Sequence, residues 1–407
     1  SEVVILDRST SADFSGVSTE GGAPLPCQRL RDGSIAFRSP PVPGFGSVRL
    51  QRTSDSGTDS APSTIVADAG SRIILDNGIL QVGLAPLSGR IESLRRIDGH
   101  GPGRNLVTEG RALAEWVHVP GRDPERAQRA SSGSVEVTDA GPIVWRAVVR
   151  REAPGTRQGV TLIVRLVAGS DRLELEYRFD KQWTLDPESV LIAFPLALSS
   201  ATLDRAVGGA LAPFRADGDQ APGANRNWYT IERWADIHDA SGGLNLFSID
   251  APLVQFGSLG SDPIVTGWRE RVDPSPVLYS YLMNNYWETN YRAAQEGPHA
   301  IRYVLRPHGG FDLPRAESAG LESVHPLLAY RVKPDLPPIV PPVRVEARWS
   351  LATLLRLTSN SLEVRIYNPS SENDMVTAIA SGNGAMAARD FGPGEYGILR
   401  PGQVPGE

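Results

Sequence analysis

The residues best suited to chemistry lie in one segment, 283–298, which reads MNNYWETNYRAAQEGP. Aromatic rings stack on the C–H faces of a saccharide, while amides and guanidinium groups hydrogen-bond to its hydroxyl groups. The aromatic residues are Tyr286, Trp287 and Tyr291, and the polar ones are Asn284, Asn285, Asn290, Arg292 and Gln295. A second interpretation is equally open, in which the aromatics anchor the loop to the protein and the amides close its turns.

Two carboxylates on the same segment, Glu288 and Glu296, are candidates for glycosidic chemistry. A retaining glycosidase needs two carboxyl groups about 5–5.5 Å apart, one as nucleophile and the other as acid and base. The chain has 47 acidic residues, so two in one loop are weak evidence for such a pair.

A second group of aromatic and charged residues occupies 225–239, NRNWYTIERWADIHD. Large aromatic side chains bury much apolar surface. Trp228 and Trp234, together with Arg233 and Asp236, therefore predict a buried aromatic pair with a salt bridge at a sheet edge, which is a structural role.

Motifs for catalytic metals and nucleophiles are missing from the sequence. The six histidines never form His-x-His, His-x-Asp or His-Glu-x-x-His, and the single cysteine, Cys27, excludes a thiolate cluster. There is also no Gly-x-Ser-x-Gly elbow and no phosphate loop. We therefore expect no metal, no cofactor and no catalytic residue in this chain.

Composition narrows the classes of partner. The formal net charge is -6 and the pI is about 5.7, which argues against nucleic acid as a main partner. The chain has no apolar run of about 18 residues and no signal-peptide pattern, which argues against a membrane. A single cysteine cannot form an intramolecular disulfide, which is typical of a reducing compartment. We expect a cytoplasmic protein.

The elements that must position these residues are strands. Leu173, Leu175, Tyr177 and Phe179 alternate with charged residues, which indicates a strand with one face in water. Similar runs flank the 283–298 segment at 277–282 and 299–305, so that the segment itself should be a long loop. Asn77-Gly78 predicts a type I′ hairpin, and the only predicted helix spans 315–328. The sequence predicts an all-β, mostly antiparallel protein.

Two shifts in composition mark boundaries between modules. One is the Ser/Thr/Asp-rich piece 53–63, and the other is the proline cluster 334–342. We predict a small β module at 1–55, a large β-sandwich at 60–332 and a C-terminal small β-sandwich module at 343–407. The chain begins at Ser1 without methionine, and we expect it to be part of a longer polypeptide.

Three stretches together resemble a known family. The run from Leu282 to Arg292 with Gln295-Glu296-Gly297 resembles the C-terminal β region of bacterial glycoside hydrolase family 38 α-mannosidases. LDNGILQVGLAPLSGRIESL at 75–94, and ERWADI followed by APLVQFG, are similar to that region in the same order. The ends, 25–46 and 365–369, resemble its small flanking modules, so the likeness spans nearly the whole chain.

The resemblance implies a large supersandwich similar to galactose mutarotase. It implies that the parent cleaves α-mannosides with retention, and that zinc and the aspartate nucleophile belong to an N-terminal catalytic domain absent from this chain. The partners are then a mannose-containing saccharide and that missing domain, and a homo-oligomeric parent is left open. The chain alone is expected to be inactive. The residues expected to bind substrate are Asn285, Trp287, Glu288, Asn290, Tyr291, Arg292 and Gln295, with Arg292 the leading contact.

Two other functions stay open on the residues alone. A free-standing carbohydrate-binding module would use the same aromatic loop without chemistry. A mutarotase-like or lyase-like enzyme would need a general acid or base near neutral pH, for which His238 and Tyr291 are the candidates.

Overall fold

A computed structural model describes residues 2–55, 57, 64–67, 72–98, 101–208, 213–260, 268–286, 292–333, 336–337, 339–357, 362–381 and 384–401. The chain forms two compact units, one from 1–29, 33–58 and 312–407 and the other from 30–32 and 59–311. The division into three modules stays a prediction. Among the described residues, no helix is long and apolar enough to cross a membrane.

The first unit begins with short strands around a small apolar cluster that includes Val4, Val17, Ile35 and Phe37. The strands are β1 Val3–Leu6, β2 Gly16–Thr19, β3 Cys27–Arg29, β4 Ile35–Arg38 and β5 Leu50–Thr53, with a one-turn helix α1 at Arg8–Ser11. They pair in the orders β1-β4-β3 and β2-β5.

The described residues of the second unit form three antiparallel sheets, of five, six and nine strands. In chain order its strands are β6 Thr64–Ala67, β7 Ile73–Asp76, β8 Leu80–Leu84, β9 Ile91–Asp98, β10 Gly101–Pro102, β11 Glu115–Pro120, β12 Gln128–Arg129, β13 Gly133–Ala140, β14 Val144–Arg151, β15 Thr156–Val167, β16 Leu173–Lys181, β17 Glu188–Pro195, β18 Asp204–Val207, β19 Phe214–Arg215, β20 Tyr229–Thr230, β21 Trp234–Asp239, β22 Gly242–Ser248, β23 Leu253–Phe256, β24 Val277–Asn284 and β25 Gly297–His308. Short 3-10 helices lie at Pro124–Arg126 and Ser200–Thr202. The sheet orders are β10-β9-β8-β7-β6, β12-β11-β17-β24-β23-β20 and β13-β14-β15-β16-β25-β22-β21-β18-β19.

The nine-stranded and six-stranded sheets pack face to face over one large apolar core. Phe194 on β17 meets Tyr303 on β25 edge-to-face at 5.6 Å between ring centroids, and Trp116 meets Phe179 at 4.9 Å. The predicted alternation on β16 is confirmed, because 173, 175, 177 and 179 are buried while the residues between them are more exposed. The protein is therefore an all-β antiparallel sandwich, as predicted.

The C-terminal part of the first unit has its own apolar core, which includes Val364, Ile366, Val376 and Phe391. The strands around this core are β26 Val343–Glu346, β27 Leu351–Leu357, β28 Leu362–Tyr367, β29 Asp374–Ala380, β30 Met386–Phe391 and β31 Tyr396–Leu399. They form two three-stranded sheets, with the orders β26-β29-β30 and β27-β28-β31.

The predicted helix is present as α2, Leu313–Val324. The Asp312 side chain caps it by accepting a hydrogen bond from the Arg315 backbone N–H at 3.0 Å. The helix ends four residues before the predicted Leu328, because the residue preceding Pro326 is disfavoured in helical conformation.

The hairpin at Asn77-Gly78 joins β7 to β8 as predicted, but its predicted type I′ geometry is wrong. A type I′ turn needs positive φ at both central residues. Gly78 has φ +80°, whereas Asn77 is not among the residues with positive φ. Instead, the Asn77 side-chain oxygen accepts hydrogen bonds from the backbone N–H groups of Ile79 and Leu80, at 3.0 and 2.8 Å, and this closes the turn.

Gly78→Ala is expected to lower the free energy of unfolding by about 1 kcal/mol, because only glycine adopts this left-handed conformation without steric cost. Gly218→Ala is the control, since Gly218 has no positive φ and a Cβ added there would have no other atom within 4 Å. Urea unfolding of both variants checks the prediction, and equal stabilities would contradict it.

Candidate functional site

The predicted saccharide loop joins the two main sheets. It leaves β24 of the six-stranded sheet after Asn284 and enters β25 of the nine-stranded sheet at Gly297. Residues 285, 286 and 292–296 of this connection are described. Four of the predicted contacts lie outside the described residues: Trp287, Glu288, Asn290 and Tyr291. The described parts are the two ends of the loop.

The first end of the loop is held by Asn285, which is buried at 4% exposure. Its side-chain amide donates to the backbone oxygens of Thr184 and Asp186, at 3.2 and 2.6 Å. Its side-chain oxygen accepts from the Glu188 backbone N–H at 2.5 Å. These contacts are those of a residue that closes turns, and the contact of Asn285 with a saccharide stays a prediction.

Tyr286, the next residue, is fixed by two neighbours. Its hydroxyl donates to Ser189 Oγ at 3.1 Å, and the Arg122 guanidinium lies 4.7 Å from its ring centroid. A cation over an aromatic face is attracted by the ring quadrupole. The beginning of the loop is therefore anchored to the sandwich through the side chains of both Asn285 and Tyr286.

At the other end of the loop, Gln295 and Arg292 have different surroundings. Gln295 lines a narrow cleft of about 10 Å³ together with Asn285, Lys181 and Glu188. A cleft of this volume holds about one water molecule. The Arg292 side chain is 69% exposed and forms an ion pair with Glu296 four residues later. The structure thus brings Asn285 and Gln295 together and leaves the Arg292 guanidinium in solvent.

A buried charge cluster beneath the loop was not predicted. Glu188 accepts a hydrogen bond from the Lys181 ammonium and lies 2.6 Å from His118 Nε2. The side chains of Lys181, Glu188 and His118 are only 4%, 10% and 10% exposed. Burial by itself raises the pKa of Glu188, but the hydrogen bonds and charges of His118 and Lys181 outweigh it and lower the pKa.

Strand periodicity explains how this cluster forms. Lys181 takes the next inward position on β16 after Phe179. Glu188 is the first residue of β17, and His118 lies within β11, two residues before its end. Gly155 closes over the pair, since a Cβ there would lie 3.1 Å from the His118 ring and Gly155 has φ +79°. The signal that could have found the cluster is the alternation of β16, continued by two residues from Phe179 to Lys181, which is one of only two lysines in the chain.

A second buried cluster centres on Asp236, whose side chain is fully buried. Its carboxylate oxygens lie 2.6 Å from His238 Nδ1 and 2.8 Å from His308 Nε2. The Asn245 side-chain amide donates a third hydrogen bond at 2.6 Å. Gly243 is the register partner of both histidines, and a Cβ added there would lie only 2.4 Å from the His238 Cβ.

This cluster corrects the prediction for 225–239. Trp228 packs on Tyr281 and Trp234 packs on Phe311, so the tryptophans do not form a pair. Asp236 pairs with the histidines rather than with Arg233, which pairs with Glu232 at 2.8 Å. The pairing of Asp236 with His238 could have been predicted, because residues two apart on a strand lie on the same face. The pairing with His308 could not, because His308 is 72 residues away in the chain.

Burial by itself lowers the pKa of His238. The hydrogen bond and charge of Asp236, with a contribution from Asp204, nevertheless raise the pKa above its ordinary value. His238 also stacks on Phe311, with 5.2 Å between ring centroids. Within the described ranges, no group of three or more His, Cys, Asp or Glu side chains is arranged to hold a metal ion.

Comparisons with known proteins give a consistent likeness at the level of structure. No family model and no curated protein matches the sequence. A glycosyl hydrolase family 38 protein from Enterococcus faecalis aligns over 98% of this chain and 56% of its own, with 13% identity and a TM-score of 0.67. An alpha-mannosidase from Enterococcus faecalis V583 aligns over 98% and 54%, with 12% identity and a TM-score of 0.68.

A weaker likeness, to a galactose mutarotase-like protein from Lactobacillus casei, covers 58% of this chain with 14% identity and a TM-score of 0.35. This chain spans little more than half the length of the two family 38 structures. The predicted resemblance to part of a family 38 α-mannosidase is therefore confirmed as a shared fold.

Proposed function

We propose that this chain is the β portion of a retaining α-mannosidase-like glycoside hydrolase, and that it forms one wall of an active site whose chemistry resides in another domain. The observation that carries the proposal is the alignment of 98% of the chain with about half of each family 38 structure. In this proposal, zinc and the aspartate nucleophile belong to the other domain, and zinc holds the sugar there. The chain alone should not hydrolyse α-mannosides.

The architecture of the loop supports a role at the saccharide. Buried hydrogen bonds hold its first end through Asn285, and Tyr286 is held by Ser189 and Arg122. A site works best when its contacting groups are supported by rigid neighbours. The Lys181–Glu188–His118 cluster supplies that rigid base, since its charges are hydrogen-bonded in the sandwich interior.

Arg292 is the residue that we propose contacts the sugar. Its guanidinium is exposed, and its described ion-pair partner is Glu296 on the same loop, so a substrate hydroxyl can reach it without breaking the sandwich. A guanidinium donates several hydrogen bonds in a fixed planar geometry. In the proposed enzyme it donates to a hydroxyl of the bound mannoside and holds the ring for attack by the other domain.

Arg292→Ala in the intact polypeptide is expected to lower kcat/KM for an α-mannoside by about ten- to a hundredfold, the cost of one hydrogen bond from a charged donor. Arg178→Ala is a matched control, because Arg178 is also exposed and pairs with a nearby glutamate, Glu176. Steady-state kinetics of both variants checks the assignment. Unchanged kinetics for Arg292→Ala would show that the loop is only structural.

A further inference from the structure

A pocket lies on the outer face of the six-stranded sheet, away from the main core. Glu115, Ala193 and Tyr279 are register partners on β11, β17 and β24 and form its floor. The small Ala193 side chain between two larger ones leaves a hollow. The cavity volume is about 280 Å³, close to the lower end of small-ligand sites and suited to one small molecule. None of its lining residues belongs to segment 283–298.

The rim of this pocket carries three arginines from separate segments. Arg129 is on the edge strand β12, opposite Val117, while Arg90 and Arg111 come from the connections before β9 and before β11. The Arg90 guanidinium donates to the Gly110 backbone oxygen at 3.1 Å, which ties the two connections together. The arginines are thus placed by the sheet register and by a main-chain contact.

The pocket has an excess of positive charge. The Glu115 carboxylate is already paired with Arg151 at 2.9 Å, with both side chains almost fully buried, and Arg90 lies 3.8 Å from it. In the part of the chain that the structure describes, the Arg111 and Arg129 guanidinium groups have no hydrogen-bond or ion-pair partner. This concentration of positive charge stands out in a chain whose net charge is -6.

We propose that this pocket binds an oxyanion, either the carboxylate of an acidic monosaccharide or an inorganic sulfate or phosphate ion. Guanidinium groups bind planar and tetrahedral oxyanions through pairs of parallel N–H donors. The attraction is stronger in a partly enclosed site than in bulk water. The Tyr279 ring adds an apolar floor on which a sugar ring can pack. The proposal is independent of a role for this chain in mannoside hydrolysis.

Calorimetric titration of the whole chain with glucuronate, sulfate and neutral glucose tests the proposal. We expect saturable binding of at least one anion and none of glucose. The Arg111→Ala/Arg129→Ala double variant should weaken that binding by about tenfold or more. Both residues are exposed, so the double variant should keep the melting temperature of the wild type. Arg157→Ala, which removes an exposed arginine elsewhere on the second unit, should bind like the wild type.

The two sources of the oxyanion are distinguished by which titrant saturates at the lower concentration. If glucuronate saturates at a lower concentration than sulfate, the ligand is an acidic sugar. If sulfate saturates at the lower concentration, the ligand is an inorganic ion. Binding should also weaken as ionic strength rises. The proposal is overturned if neither anion binds saturably, if glucose binds equally well, or if the double variant and Arg157→Ala have the same affinity.

Discussion

Glu188→Ala is expected to lower the free energy of unfolding of the second unit by about 3–5 kcal/mol, because it leaves the Lys181 ammonium buried without its counter-charge. The Lys181 side chain is 4% exposed, so little water can reach the ammonium group to replace the lost carboxylate. His118 Nε2 loses its 2.6 Å partner in the same substitution. Urea unfolding followed by tryptophan fluorescence measures the loss.

Glu176→Ala is the matched control for this variant. Glu176 also pairs with a basic side chain, but its partner Arg178 is 61% exposed, and exposed pairs contribute about 1 kcal/mol or less. The double variant Lys181→Met/Glu188→Leu should recover most of the lost stability, since apolar side chains can replace a buried ion pair. A loss for Glu188→Ala no larger than that for Glu176→Ala would contradict the prediction.

The contribution of Glu188 should also depend on pH in a defined direction. Its hydrogen bonds to His118 and Lys181 hold its pKa in the folded state below the ordinary value for a glutamate. A carboxyl with a lowered folded pKa stabilises the protein above its unfolded pKa, and that stability is lost as the pH falls through the folded value. The difference between the wild type and Glu188→Ala should therefore be present at neutral pH and shrink in acid.

Asp236→Asn is expected to cost about 3 kcal/mol although it preserves the shape of the side chain. The buried carboxylate accepts from Asn245 and lies within hydrogen-bond distance of His238 and His308. An asparagine at 236 would keep only one acceptor oxygen for these three neighbours. Its side-chain NH2 group would replace the other oxygen and would face a donor group instead of accepting from it. Asp250→Asn is the control, because Asp250 also makes several hydrogen bonds, to Arg302, but at a more exposed position.

The stability lost in Asp236→Asn should change with pH in the opposite direction to the stability lost in Glu188→Ala. Asp236 raises the pKa of His238 above the ordinary value for a histidine. A histidine with a raised folded pKa contributes stability below its unfolded pKa and loses it as the pH rises through the folded value. The part of the Asp236→Asn effect that comes from His238 should thus be largest below about pH 6 and decline at higher pH. Thermal melts across this range measure it, and a difference that grows with pH would contradict the assignment.

The segment that contains the candidate site was predicted, but the roles within it were only partly predictable. Composition selected 283–298 as a long loop between two strands. The structure has a connection there, but it is shorter, because β24 extends to Asn284 and β25 begins at Gly297. Composition could not separate an amide that binds a ligand from one that closes a turn. The Asn285 side chain bonds to backbone groups of residues 184–188, which lie about a hundred residues away in the chain and which no local pattern indicates.

The sequence by itself determined the strands and the side chains that face the core, because alternation in a strand is a local property that follows from the backbone geometry. On β16, for example, the alternating residues from Leu173 to Phe179 are buried as the sequence pattern predicts. Only the tertiary structure decided which buried charges meet. Glu188 meets His118 across 70 residues of chain, and Asp236 meets His308 across 72. Such pairs depend on strand order and register, and these emerge only when the sheets assemble.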